Sequence, residues 1–246
     1  MEIISSKNEK IKNLIKLKQK KYRDETNLVL IEGYKIFEEA LKANVTVKEI
    51  FLTESFLQKK NVNFQNQTLI SNEVSNKLTY NITSQNFFAV LEKPKKEIST
   101  GNFLILDQIQ DPQNLGAIIR TAVACDIKNL YLLNTVDIFN DKVIRASMGN
   151  VFKVSYMNVT IKDLEEICKD KTIYCADMGG ENIFEHKEKC DNFGLILGNE
   201  GNGVSEDVKK LSSKIISIPM KNNVESLNVA VSMAIISYQL TEKFNL

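Results

Sequence analysis

The sequence predicts an α/β fold in two domains, and two observations support this prediction. Short apolar runs alternate with amphipathic segments along the chain, which is typical of strands and helices packed in layers. Glycine is unevenly distributed, because Gly33 is the only one of the 10 glycines that precedes residue 101. The polar stretch 93–101, with one of the 3 prolines, lies at this change in composition. We therefore predict domains of residues 1–97 and 98–246.

Length, composition and charge exclude several classes of protein. A chain of 246 residues can bury a large core, and 43% hydrophobic with 26% charged residues is typical of a globular protein rather than a disordered one. The 32 basic and 31 acidic residues leave a net charge of +1, so an affinity for nucleic acid would have to be local. The sequence shows neither a membrane helix nor a signal peptide, which predicts a cytoplasmic protein without a membrane partner.

The cysteines and the single histidine predict no metal site. Cys125, Cys168, Cys175 and Cys190 are irregularly spaced and form no C-x-x-C pair, so we expect reduced, mostly buried thiols. One histidine excludes every metal motif that needs two. Because His186 lies in the polar run EHKEKCDN, we expect it at the surface.

The first domain opens with a basic amphipathic segment. Ile11, Leu14 and Ile15 have the spacing of one helical face. Residues 7–23 contain eight Lys or Arg and one acidic residue, Glu9, so this helix is either a solvated face or a contact surface for a phosphate backbone. Apolar runs that alternate with helical stretches follow, as in a small α/β domain: LVLI (28–31), EIFL (49–52) and FFAVLE (87–92).

The second domain is predicted to contain a parallel sheet. Its apolar runs are continuous, as in strands that are covered on both faces. These runs are FLILD (103–107), NLYLL (129–133), TIYCA (172–176), FGLIL (193–197) and KIISI (214–218). Helical patterns separate them, and ligands bind at the carboxyl ends of such strands.

The segment that follows strand 103–107 is the first candidate site. Asn114 is the predicted N-cap of a helix, on which Gly116 and Arg120 share one face. The alternative interpretation of this segment is a capping Asn and a salt-bridged surface Arg. The predicted buried stripe of the helix is Leu115, Ile118, Ile119 and Ala122.

Two further strand ends have unusual polar residues. Glycines surround Glu200 after strand 193–197, in an order that fits neither a dinucleotide fingerprint nor a P-loop. A turn that is only structural has no need of this carboxylate. After Pro219, Ser226 and Asn228 lie in the first turn of the last helix, where they suit either an anionic ligand group or helix capping.

Together these segments resemble the three motifs of the SpoU/TrmH branch of the SPOUT methyltransferases, which transfer methyl groups from S-adenosylmethionine to a ribose 2′-hydroxyl in RNA. Motif one corresponds to Asn114-x-Gly116-x-x-x-Arg120, motif two to Leu197-Gly198-Asn199-Glu200-Gly201-x-Gly203, and motif three to Ile218-Pro219-Met220 with Ser226-Leu227-Asn228-Val229. RASMGNVFKV (145–154) resembles another stretch of this branch, and the likeness covers residues 102–243.

The resemblance implies a fold, a cofactor and a set of site residues. The second domain would be a parallel-sheet SPOUT domain with a deep trefoil knot that forms a homodimer, preceded by a ribosomal-protein-like (L30e-like) RNA-binding domain. S-adenosylmethionine would be the methyl donor, with no metal. The residues implied near the cofactor are Gly198, Asn199, Gly201, Ile218, Met220 and Leu227. Those implied at the reaction site are Asn114, Arg120, Glu200, Ser226 and Asn228.

Arg120 is the first candidate for the central catalytic residue. A free guanidinium has a pKa above about 12 and hardly loses its proton, so we assign it orientation of the ribose and stabilisation of the developing oxyanion rather than the role of a base. Glu200 and Asn114 would fix Arg120 and the ribose, and in a dimer some of these groups would act across the interface.

Ribosomal RNA is the favoured substrate, and transfer RNA is the alternative. A non-catalytic RNA-binding or ribosome-assembly factor with the same fold is another alternative, which the intact reaction-site residues disfavour. A nucleotide-dependent α/β enzyme would use the glycine loop as a phosphate cradle. That interpretation lacks a suitably placed lysine and leaves the basic helix unexplained.

Overall fold

The structure is a computed structural model that describes residues 2–60, 64–187, 192–222 and 224–241. The chain divides into two compact units. The first comprises Met1–Lys95 and Phe139–Phe152, and the second comprises Lys96–Ile138 and Lys153–Leu246. Residues 139–152 therefore pack within the first unit, although they lie beyond the boundary predicted at residue 97. That boundary itself stays a prediction.

Strands and helices alternate along the described residues. The strands are β1 (Glu2–Ile3), β2 (Leu28–Glu32), β3 (Val47–Leu52), β4 (Gln67–Ile70), β5 (Phe87–Glu92), β6 (Phe103–Asp107), β7 (Asn129–Leu133), β8 (Ser155–Asn158), β9 (Ile173–Asn182), β10 (Gly194–Leu197) and β11 (Lys214–Ser217). The helices are α1 (Glu9–Lys16), α2 (Lys20–Thr26), α3 (Tyr34–Lys42), α4 (Glu54–Lys60), α5 (Asn72–Leu78), α6 (Pro112–Ala124), α7 (Asp141–Ala146), α8 (Ile161–Cys168), α9 (Glu206–Lys209) and α10 (Val229–Leu240). A 3₁₀ helix spans Asn150–Lys153.

The first unit is built on a mixed five-stranded sheet. The strand order is β1-β4-β3-β5-β2, in which β5 runs antiparallel to both of its neighbours and the other pairs are parallel. The three apolar runs predicted in this part of the chain form β2, β3 and β5. Within this unit, Arg145 of the segment 139–152 donates a hydrogen bond to the side-chain oxygen of Asn81.

The basic N-terminal segment forms two helices, α1 and α2, rather than the single predicted helix. Ile11 and Leu14 are buried and Ile15 is half-buried, so the predicted apolar face is present. Arg23 is buried and donates hydrogen bonds to two backbone carbonyls. Carboxylates pair with four of the lysines, Lys10, Lys12, Lys20 and Lys21. Four of the eight basic residues are thus paired, and both interpretations of the segment, a solvated face and a phosphate contact surface, stay predictions.

The second unit contains the predicted parallel sheet. Its six strands lie in the order β11-β9-β10-β6-β7-β8, and every neighbouring pair is parallel. The five predicted apolar runs form β6, β7, β9, β10 and β11. Because β6 and β10 are neighbours with Leu106 opposite Leu197, the segments that follow these strands start side by side.

Three of the four cysteines can be placed, and all three are buried as predicted: Cys125, Cys168 and Cys175. Cys190 lies outside the described residues. The prediction for His186 is wrong, because only 8% of this residue is exposed. Its Nε2 lies 3.1 Å from the hydroxyl of Tyr174, and the two rings pack edge to face. An aromatic partner 12 residues away buries the ring, which the polar neighbours in sequence do not reveal.

The three buried thiols are expected to be unreactive in the folded protein. Burial raises the pKa of Cys125 and Cys168 to about 11 and that of Cys175 to about 12. At about pH 8 the reactive thiolate is then at most about a thousandth of each thiol. Titration of a Cys190→Ser variant with Ellman's reagent should show no reaction until guanidinium exposes all three. Reaction of a folded thiol within minutes would contradict the burial.

No described helix has both the length and the apolar character needed to cross a bilayer.

Candidate active site

Helix α6 presents the first predicted motif and begins before the predicted position. Asp111 is its N-cap, since its carboxylate accepts a hydrogen bond from the N–H of Gln113 at 2.8 Å. Pro112 follows in the first turn, where its fixed φ suits a helix. The prediction that Asn114 caps this helix is therefore wrong. The predicted buried stripe is confirmed, because four residues are each 0% exposed: Leu115, Ile118, Ile119 and Ala122.

Asn114 instead connects the three predicted motifs. Its Nδ2 donates a hydrogen bond of 2.6 Å to Oε1 of Glu200, 86 residues away in the chain. Its Oδ1 accepts a hydrogen bond of 2.8 Å from Nδ2 of Asn228, 114 residues away. The fold thus brings three of the five predicted reaction-site residues together in one array.

The two outer members fix the orientation of the Asn114 amide. Asn228 is the N-cap of α10, and its Oδ1 accepts from the N–H groups of Ala230 and Val231 at 2.9 and 3.4 Å. Only its Nδ2 is then available to face Asn114, so the Asn114 oxygen must point towards Asn228. The Asn114 nitrogen consequently points to the carboxylate of Glu200, which can only accept when it is ionised.

Arg120 and Ser226 lie outside this array. Both are exposed, and the side chain of neither forms a hydrogen bond or ion pair with another described residue. Arg120 lies six residues beyond Asn114 on α6, which is a rise of about 9 Å along the helix. Because the Arg120 guanidinium has no partner, its charge is not neutralised within the described part of the chain.

The glycine loop, residues 198–205, is folded around one side chain. Oδ1 of Asn199 accepts hydrogen bonds from the backbone of Gly201 and Asn202 at 2.9 and 3.2 Å. The backbones of Asn199 and Gly203 exchange two hydrogen bonds of 2.9 Å. Gly198 lies so close to this bridge that an added Cβ would be 2.2 Å from the Gly203 carbonyl carbon. Only glycine fits there.

The segment after β11 offers free backbone groups. Strand β11 ends at Ser217, and among the described residues the backbones of Ile218 and Met220 have no hydrogen-bond partner. Both side chains are half-buried, as is that of Leu227. Apolar side chains beside a few free polar groups are typical of small-molecule sites. No group of His, Cys, Asp or Glu suited to a metal ion occurs within the described ranges.

Two family models match this chain. The model of the SpoU rRNA Methylase family matches residues 101–238, and that of the MRM3-like substrate binding domain matches residues 8–89. This chain belongs to the SpoU rRNA methylase family. The resemblance drawn from the three motifs is confirmed, and so is the prediction of a substrate-binding domain before the α/β methylase domain.

Relatives of this SpoU family member span nearly its whole length. It is 33% identical over 244 residues to the 23S rRNA (guanosine(2553)-2′-O)-methyltransferase RlmP of Bacillus subtilis, covering 97% of this chain and 98% of that protein. The AdoMet-bound rRNA methyltransferase of Sinorhizobium meliloti has a TM-score of 0.87 at 24% identity, covering 100% and 99% of the two chains. A TrmH-family protein from Porphyromonas gingivalis has a TM-score of 0.83 at 28% identity, covering 95% and 97%.

Sequence reasoning missed two residues of the SpoU domain that contact the glycine loop. The carbonyl of Gln108 accepts a hydrogen bond of 3.0 Å from Nδ2 of Asn199. Asp107 is 0% exposed and accepts one of 2.8 Å from the N–H of Ser205. An acidic residue that ends a run of apolar strand residues is the signal that could have found Asp107.

Proposed function

We propose that this protein transfers a methyl group from S-adenosylmethionine to a ribose 2′-hydroxyl of ribosomal RNA. The array of Glu200, Asn114 and Asn228 carries the proposal, because it joins all three motifs of a methylase family. Both the family description and the name of RlmP specify rRNA, which favours it over transfer RNA. The intact array disfavours a factor that binds RNA without catalysis.

The loops after β10 and β11 and the start of α10 fit the methyl donor. Their free backbone groups and half-buried apolar side chains suit the polar edge and the flat face of a nucleoside. When bound, the cofactor supplies a methyl group already activated by a sulfonium. We assign its binding to Gly198, Asn199, Gly201, Ile218, Met220 and Leu227. The S. meliloti structure contains AdoMet on this fold, which supports the assignment.

The reaction needs alignment and charge stabilisation from the protein. A ribose hydroxyl is a poor nucleophile, and its oxygen carries negative charge from the departure of its proton until the bond to the methyl group forms. Arg120 has no partner among the described residues, so its guanidinium is available to orient the ribose and stabilise that charge. The hydroxyl of Ser226 is equally uncommitted and is assigned to the ribose. Asn114 holds Glu200 and Asn228 in place through two hydrogen bonds.

We further propose a homodimer, a deep trefoil knot and a cytoplasmic location. The chain beyond β11 returns to α6, because Asn228 donates a hydrogen bond to Asn114 and α10 packs on α6. A C-terminal segment that packs against an earlier helix of the same unit supports a knotted backbone. On α10, Val231 and Tyr238 remain 48% and 47% exposed, which fits a dimer contact. Light scattering over a dilution series tests the dimer, and a stable monomer that still methylates RNA would contradict it.

The function is tested with labelled S-adenosylmethionine and unmodified rRNA, both free and in ribosomal subunits. The RNA is digested to nucleosides, which are separated and identified by mass spectrometry. A labelled 2′-O-methylnucleoside is the expected product. Its absence with every rRNA substrate, although the cofactor binds, would overturn the proposed activity.

Replacing Asn114 with aspartate should make the activity dependent on pH. In the wild type, Oε1 of Glu200 accepts a hydrogen bond of 2.6 Å from Nδ2 of Asn114. In the variant, the new carboxylate would face that of Glu200. Two carboxylates in contact raise the pKa of one of them, so a proton is retained to a higher pH than usual. Below the raised pKa that proton restores a hydrogen bond, and above it the charges repel. We expect about 100-fold less activity than wild type at pH 8 and a smaller deficit at pH 6.

Gln113→Glu is the matched control for this variant. It adds the same charge one residue earlier, on an exposed side chain that does not contact Glu200. Its pH profile should follow that of the wild type. A constant ratio of Asn114→Asp to wild-type activity between pH 6 and 8 would contradict the array as the cause.

A further inference from the structure

A buried carboxylate that the proposed reaction does not use lies beneath the glycine loop. Asp107 ends β6 and is 0% exposed. Burial of a charged group is costly unless the group is hydrogen-bonded or paired. Within the described residues Asp107 has no cationic partner. Its Oδ2 accepts from the N–H of Ser205 at 2.8 Å, and its Oδ1 accepts from the side-chain amide of Gln108 at 3.3 Å.

The next residue fastens the other end of the same loop. The carbonyl of Gln108 accepts from Nδ2 of Asn199 at 3.0 Å. Gln108 has a φ of 58°, and its own N–H donates to the carbonyl of Leu133 in the neighbouring strand. The peptide plane that contains its carbonyl is held as well, because the N–H of Ile109 in that plane donates to Oγ1 of Thr135 at 3.3 Å. Two consecutive residues at the end of β6 thus hold Asn199, the second residue of the loop, and Ser205, its last residue.

Glu200 lies between these two points of attachment. Its partner Asn114 is on α6, which begins at Pro112, only four residues after Gln108. The distance between Glu200 and Asn114 therefore depends on how the loop is attached to β6. A displacement of about 1 Å at a reacting group can cost about 100-fold in rate.

We propose that Asp107, together with the carbonyl of Gln108, is the positioning element of this active site. Asp107 touches neither of the two substrates but holds the loop in the shape that accepts the cofactor and presents Glu200. This role rests on the proposed function. It predicts that loss of the Asp107 carboxylate weakens cofactor binding through the loop and leaves recognition of the RNA unchanged.

The test compares Asp107→Ala and Asp107→Asn in the full chain. Loss of a hydrogen bond to a charged acceptor predicts about 10- to 100-fold weaker binding of S-adenosylmethionine to the Ala variant by calorimetry. Without cofactor, the backbone amides of residues 199–205 should exchange their hydrogens faster in the Ala variant than in the wild type. The Asn variant keeps one oxygen for the Ser205 N–H, so it should recover part of both effects. The KM for RNA should not change.

Asp163→Ala is the structural control. Asp163 accepts hydrogen bonds from the backbone and side chain of Thr160 and completes the capping box of α8 in the same unit. Its loss should lower the Tm without changing cofactor affinity or exchange in the loop.

Two results would overturn the proposal. One is a lower Tm for Asp107→Ala with unchanged cofactor affinity, which would make Asp107 only a structural residue. The other is a rate of amide hydrogen exchange in residues 199–205 that is the same in Asp107→Ala as in the wild type. If the wild-type protein does not bind the cofactor, the proposed function fails, while hydrogen exchange still tests the attachment of the loop.

Discussion

Replacing Arg120 with alanine should abolish methyl transfer while leaving the protein folded. The side chain is exposed and has no partner among the described residues, so its loss should change stability by less than about 0.5 kcal/mol. A donor aimed at a developing oxyanion contributes about 100- to 1,000-fold to the rate. Single-turnover methylation measures the loss, and calorimetry should show that S-adenosylmethionine binds almost as in the wild type.

Two control variants separate charge and geometry from general damage to α6. Arg120→Lys keeps the charge but lacks the planar set of five donors, so it should recover only part of the rate. Gln113→Ala changes another exposed side chain of the same helix and should retain the wild-type rate. Near-normal methylation by Arg120→Ala would remove this residue from the reaction.

Much of the fold is encoded locally. The runs FLILD and NLYLL have the same bounds as β6 and β7, because every residue in these strands is buried and four of the five in each are apolar. The strands β1, β4 and β8 have no such run. In β8 only Ser155 is buried, so its sequence gives no signal of a strand. These residues form the strand β8 because they pair with β7.

The site could be predicted as a set of residues but not as an arrangement. Polar residues at strand ends and their likeness to three motifs identify Asn114, Glu200 and Asn228. The order of hydrogen bonds among them depends on contacts across 86 and 114 residues, which no local pattern contains. Local reasoning gave Asn114 a capping role that belongs to Asp111. The same limit hid Asp107, whose partner Ser205 is 98 residues away.

Gly198→Ala should disrupt the cofactor site by a steric clash with the backbone of the glycine loop. The new Cβ would lie 2.2 to 2.3 Å from three backbone atoms of Gly203 and Val204, which cannot rotate away. The two hydrogen bonds between Asn199 and Gly203 would have to lengthen or break. We expect about 1–3 kcal/mol less stability and at least about 100-fold weaker binding of S-adenosylmethionine. Thermal unfolding and calorimetry measure these two quantities.

Gly179→Ala is the control that isolates this steric effect. A Cβ at Gly179 would have no atom within 4 Å, so the same chemical change should leave stability and cofactor affinity near wild type. The contrast between the two glycines depends only on what surrounds the added carbon. If Gly198→Ala bound the cofactor as tightly as Gly179→Ala, the close contact between Gly198 and Gly203 would not be what shapes the site. The assignment of the glycine loop to the cofactor would then be wrong.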